Sequence, residues 1–485
     1  MLNTSSRLHS RILLLFVIVA SGIVGFGLAW ALYFEKVKTL AIILVLPFAL
    51  SLPLVLSRVS QQTIVSVLLL LFWLPIRLYF LDELYLFEFA TYCLLALAVM
   101  NSVISRNSAS TPAFEGFPLL AFFFFVGGTL LTYAISYKAG TELVRIRLFC
   151  LFPMILCLFF SLTVRNEKDA ERYLWMLFIS VSLLALLFTM ADRSFSFLQT
   201  SDYAIGSGRL SMELKILFLG VLRINPESAG TYFGMLLCVG YYLFISSART
   251  SKKLIVIGFS LILALAIMLA QGRGGAAAAI FSTALMTLLY YRRATTKIHA
   301  GILVIGLILF GSIIIGGMWY LANSSQNISY NARFVSLVND PFNDATLLNR
   351  INLWEEGLLT LLNKPFGIGF FGFHTRDGDT WIVHNLYLYL WLCLGPIGFL
   401  GFWGIIYKFY KTFRESMNSH NDSLRGLSIL GLGCILSICI NGMFSPVVWD
   451  PYSVVIIWAP LGITYAACMR ERNKSKVTLQ ADLAQ

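Results

Sequence analysis

Apolar residues in this chain come in long unbroken blocks separated by short polar breaks, with little of the stripe pattern of a soluble helix. Blocks of about twenty residues match the thickness of a hydrocarbon core. About fourteen such blocks can be marked, near residues 12–32, 39–56, 60–76, 84–100, 117–132, 147–164, 173–190, 229–247, 254–271, 275–291, 298–321, 384–408, 425–444 and 453–469. A backbone in lipid must satisfy its N–H and C=O groups internally, and continuous apolar runs of this length do so as helices. A β-barrel would instead show short alternating segments. The pattern predicts an all-α fold, a polytopic integral membrane protein with about fourteen transmembrane helices in a single membrane domain, residues 1–485. The block at 12–32 is too long for a signal-peptide core and has no clear small-x-small cleavage site, so it reads as the first helix.

Two breaks are long, 191–228 and 322–383, and long connections are where function concentrates. The second has its own pattern. Residues 349–363, NRINLWEEGLLTLLN, place Ile351, Trp354, Leu358, Leu361 and Leu362 at helical spacing, which predicts an amphipathic helix lying in the membrane interface. Arg350 and Trp354 share a face of it. Asn363-Lys364-Pro365 ends it. Gly367, Gly369 and Gly372 follow in PFGIGFFGF, where they permit close backbone approach, and His384-Asn385 opens the next block.

Composition agrees with the pattern: 58% of the residues are hydrophobic and 12% charged, against roughly half and a quarter in soluble domains. Charge then orients the chain. Arg249, Lys252 and Lys253 lie in one short connection, Arg292, Arg293 and Lys297 in another, and Arg470, Arg472, Lys474 and Lys476 in the tail. The positive-inside rule puts all three in the cytoplasm, and with them both termini. Eight of the cations assigned to the opposite face fall in the two long loops. The net charge of +12 suits contact with anionic membrane lipids. Nucleic acid is a poor partner, because the cations are split between two faces of a membrane. All eight cysteines fall inside apolar runs, so neither a disulfide framework nor a metal site is expected.

Several short motifs stand in a fixed order: QGRGG at 271–275, Arg350…Trp354, Pro365-Phe366-Gly367-Ile368-Gly369, and His384-Asn385 followed after nine residues by Gly395-x-x-Gly398. Over roughly 270–407 this set resembles the O-antigen ligase/O-antigen polysaccharide polymerase superfamily of bacterial envelope enzymes. The N-terminal half is similar only in being a stack of spans. The resemblance implies transfer of lipid-linked glycan on the periplasmic face of the bacterial inner membrane, with no nucleotide sugar, metal or other cofactor. Its implied partners are an undecaprenyl-diphosphate-linked oligosaccharide and a glycan or lipid A core acceptor.

The residues suit that chemistry. Arginine forks bind phosphate oxygens bidentately, and the candidates for the donor diphosphate are Arg273, Arg350, Arg223 and Arg333. Arg223 precedes Asn225-Pro226, a helix-start signature whose dipole also favours anions. Arg273 falls in a very tight outer turn between two spans, where an arginine is costly unless it is paired or solvated. His384 is the candidate base, since imidazole titrates near neutrality. Asn385 and Tyr387 are candidates to orient substrate. Bland readings stand beside these: a helix-starting histidine often caps, an arginine at an interface often snorkels, Asn385 and Tyr387 can serve as headgroup anchors, and Gly395 and Gly398 suit helix packing. Asp377, Asp379 and Asp450 are alternative bases.

A polymerase joining lipid-linked repeat units is the first functional expectation. A ligase delivering finished glycan to lipid A core is the second, and a protein acceptor is more remote. A transporter or flippase is disfavoured by the scarcity of charge within the spans and the lack of paired interrupted helices.

Overall fold

The computed structural model of the chain describes residues 61–72, 77–78, 84–85, 87–88, 90–95, 117–136, 141–190, 198–200, 212–216, 220–224, 226–270, 272–292, 345–370, 373–374, 380–381, 383–445 and 451–484, with side-chain detail for most of them. Among these residues eight helices are long and apolar enough to cross a membrane. They fall on the blocks predicted from 147–164 through 275–291 and on the last three. The blocks at 12–32, 39–56 and 298–321 lie outside the described residues.

In chain order the helices are α1 (Gln61–Leu71), α2 (Leu119–Ser136), α3 (Thr141–Ile146), α4 (Phe152–Thr163), α5 (Glu167–Met190), α6 (Pro226–Ser246), α7 (Thr250–Ala270), α8 (Arg273–Tyr291), α9 (Ala345–Asn363), α10 (Leu386–Ser416), α11 (Asp422–Gly442) and α12 (Pro451–Ala484). A π-helical turn, Arg147–Leu151, joins α3 to α4. The core is aromatic and aliphatic throughout, with Trp458, Tyr173, Tyr232 and Phe160 among its fully buried side chains.

Short antiparallel strand pairs accompany the helices of this all-α fold. Leu84–Tyr85 (β2) pairs with Arg77–Leu78 (β1), so the block predicted at 84–100 begins as a strand. The loop predicted at 191–228 holds a three-stranded sheet, β3 (Leu198–Thr200), β4 (Met212–Ile216) and β5 (Gly220–Ile224). Its signal was present in MELKI, whose strict alternation is that of a strand.

Chain ends of the elements define two ends of the bundle. At one, α10 gives way to α11, whose cap residue Asn421 donates from Nδ2 to Glu167 at the start of α5 (2.8 Å). There Arg470 reaches the carbonyls of Ser161 and Leu162 at 3.2 and 3.3 Å, satisfying the last turn of α4. Arg472 pairs with Glu415 at 2.5 Å. Two of the tail cations used to orient the chain, Arg470 and Arg472, thus tie helix ends together, and α12 continues well past them.

The block predicted to cross at 384–408 does not cross as one rod. Gly395 has φ 66° and ψ 178°, which breaks the helix. The Tyr387 and Trp403 rings are stacked 5.2 Å apart, and those of Trp391 and Phe399 lie 5.3 Å apart. Sixteen residues of straight helix would separate the first pair by about 24 Å, so the two arms of α10 fold back on one another. The arm 386–394 is about 13 Å long and re-enters the bundle, whereas 396–416, about 31 Å, is long enough to span.

Small residues make the fold-back possible. A Cβ on Gly395 would sit 2.3 Å from the Thr132 hydroxyl and 2.5 Å from the Phe366 carbonyl, and one on Gly398 would sit 2.7 Å from Leu394 Cβ. Gly398 and Gly401 let the long arm lie against the α2 backbone at Gly128 and Phe125. Pro396 has no N–H to give the Leu392 carbonyl. Ile368 N–H takes that acceptor at 2.6 Å, and the Thr132 hydroxyl lies 2.9 Å from the Leu394 carbonyl.

Candidate active site

His384 and Asn385 sit at the recessed foot of the short α10 arm. Asn385 has extended backbone and caps the arm, its side-chain oxygen accepting from the amides of Tyr387 and Leu388 at 3.0 and 3.1 Å. Its neighbour Leu386 packs on Gly442, at the end of α11. Tyr387 donates to the Cys439 carbonyl at 3.0 Å. The proposed orienting pair, Asn385 and Tyr387, therefore holds the arm in place by these contacts.

The amphipathic α9 packs along the same arm. Leu353, Val383 and Leu392 form a small apolar cluster, joined by Trp354, Leu361, Ile368 and Leu388. Trp354 Nε1–H donates to the His384 carbonyl at 3.3 Å. Gly357 lies against Val383, where an added Cβ would come within 3.1 Å of the valine. Arg350 is one helical turn before Trp354, about 6 Å along the axis, and His384 and Arg350 are both half-buried. Leu348, Ile351, Leu358, Leu359 and Leu362 remain exposed, an apolar stripe available to lipid on the outer side of α9.

Glycines bring Arg273 to the same level. It is the first residue of α8, with Gly272 at the cap position and no side-chain cap. A Cβ on Gly275 would meet the Gly230 carbonyl at 2.0 Å, and one on Gly234 would meet the Gly275 carbonyl at 2.6 Å, so α8 and α6 touch backbone to backbone. On the other side Gly274 faces Asn441 and Phe444 at the end of α11. Asn441 in turn donates to Thr231 of α6 at 2.5 Å. Both Leu386 and the start of α8 thus lie against the last turn of α11, which puts the backbones of Arg273 and His384 in one corner. The α6 and α8 N-termini also open there, with the unsatisfied amides and dipole sign that suit an anion.

Arg223 lies in β5, opposite Glu213 in register and three residues before α6 begins. Arg333 lies outside the described residues, as do Asp377, Asp379 and Asp450.

Sequence reading passed over two residues that shape this corner. Arg145, at the end of α3, donates to the Phe370 carbonyl and so fastens the glycine-rich segment that follows α9. Thr132 contacts both that segment, at the Phe366 carbonyl (3.2 Å), and the tip of the α10 hairpin. Gly367 (φ 90°) and Gly369 (φ 81°) give the segment its left-handed turns. No sequence motif marks Thr132. Arg145 was visible only as one loop cation among several.

No curated protein matches the chain. Residues 258–403 match the family described as O-antigen ligase. That span takes in α8, the Arg350–Trp354 turn, the glycine-rich segment, His384 and the α10 hairpin. Over those residues this multi-pass membrane chain is similar to the O-antigen ligase family, in line with the ligase/polymerase superfamily that its motifs resemble.

Proposed function

We propose that the chain is a membrane glycosyltransferase that polymerises undecaprenyl-diphosphate-linked repeat units at the periplasmic end of its bundle, in the bacterial inner membrane with both termini cytoplasmic. The observation that carries this reading is that α9 and the start of α8 flank the foot of the short α10 arm, α9 by direct contact and α8 across the last turn of α11, so that one candidate base and two candidate phosphate ligands share one end of the bundle. In this reading Arg273 and Arg350, aided by Arg223 and Arg333, bind the donor diphosphate. The guanidinium forks neutralise charge that builds on the diphosphate as the glycosidic bond to it breaks. His384 takes the proton of the acceptor hydroxyl as the new sugar–oxygen bond forms, and the carrier diphosphate leaves. The recessed position of His384, below the tip of the hairpin and under α9, limits competing attack by water. No step calls for a metal or other cofactor.

A ligase reading, with lipid A core as acceptor, uses the same donor chemistry and is equally compatible with the matched family. A deletion strain separates the two on a polysaccharide gel. Single-unit glycans indicate a polymerase, whereas chains of normal length left on carrier lipid indicate a ligase. An unaltered profile removes both.

A further inference from the structure

A second site lies at the other end of the bundle. Lys168, Glu171, Arg172, Trp175, Met176 and Ile179 of α5 line a cavity of about 500 Å³ with Lys252 and Ile255 of α7. The Asn421–Glu167 hydrogen bond fixes this as the end where α10 gives way to α11, remote from His384. On α5 the sequence positions 168, 172, 175–176 and 179 recur at helical spacing on one face. Cations therefore occupy the mouth, and the wall turns apolar with depth. Lys252 stands over the Trp175 ring, 5.7 Å from its centroid. Among the described residues no carboxylate pairs with Lys168, Arg172 or Lys252, and Glu171 is the single acid in the lining.

We propose that this cavity binds one anionic phospholipid from the leaflet at that end, its phosphate held by Lys168, Arg172 and Lys252. An acyl chain runs along Trp175, Met176, Ile179 and Ile255. Two observations favour a lipid over a soluble anion. The cavity is continuous with exposed aliphatic side chains on both helices, Leu183 and Leu186 on α5 and Leu254, Ile257 and Leu261 on α7, a surface that faces hydrocarbon in a spanning bundle. A free phosphate would use the three cations and leave the apolar wall in water. Basic pockets between helices that open to the bilayer suit lipid headgroups.

The test is native mass spectrometry of the full chain titrated with phosphatidylglycerol, phosphatidylcholine or inorganic phosphate. Each cation at such a surface contributes about fivefold in affinity, so Arg172→Gln/Lys252→Gln should bind phosphatidylglycerol about thirtyfold more weakly than the unmodified chain. Lys411→Gln/Arg414→Gln removes the same charge at the same end outside the cavity and should change binding less than twofold. Arg172→Gln alone, at an exposed position, should give about a fivefold loss if the double variant is poorly produced. Equal binding by the cavity variant and the unmodified chain overturns the proposal, as does equal weakening by both double variants. Displacement of phosphatidylglycerol by millimolar phosphate would reduce the site to an anion site without lipid selectivity.

Discussion

Asn385 caps the short α10 arm, and its neighbour His384 is the proposed base. The Asn385 side-chain oxygen is committed to the amides of Tyr387 and Leu388, so Asn385→Ala should cost about 0.5–2 kcal/mol of stability through loss of the cap. Thermal unfolding in detergent measures this, and the companion Asn385→Asp, which keeps the acceptor, should recover most of it. Arg273 is a residue whose charge alone is not its function in the proposed mechanism. Arg273→Lys keeps a cation but loses the bidentate fork. It should raise the KM for lipid-linked donor while the protein inserts normally, and Arg273→Ala should lose most of the activity. Wild-type kinetics in Arg273→Ala would move the diphosphate site elsewhere.

At the scale of elements, the α10 hairpin organises the corner, and Gly395 is where it turns. An alanine there has no room for its Cβ and an unfavourable φ, at a cost of about 1–3 kcal/mol. Gly395→Ala should lower the unfolding temperature and the activity together, with the distance between spin labels at positions 388 and 404 increasing. An unchanged distance would argue against the fold-back. Much of the bundle was legible in the sequence, because runs near 173–190 or 425–444 cross once and hydropathy reads them directly. The hairpin was not, since an apolar run reads the same whether it spans or turns back; the Gly395-Pro396 dipeptide was the turn signal. The β4–β5 pair was hidden for a different reason, its five-residue strands being short beside the apolar blocks around them. The amphipathic α9 was legible, but the face it buries on the short arm is centred on Leu353 and Trp354, and much of the apolar stripe read from the sequence stays exposed.

For the whole molecule, the helices hold a corner at one end of the bundle. Close glycine contacts between α6 and α8, together with the Arg145 and Thr132 contacts to the glycine-rich segment, fix its walls. Motif residues scattered from 272 to 385 in sequence lie around it, as the proposed lipid-linked transfer requires. The most direct test reconstitutes the purified chain with a defined undecaprenyl-diphosphate oligosaccharide, with and without lipid A core acceptor, and follows product size. The unmodified chain is expected to release longer or acceptor-linked glycan in the presence of a chelator, and His384→Ala, inserted at the same level, is expected to form none. Undiminished product from His384→Ala, or no product from the unmodified chain with this donor, would contradict the proposed reaction.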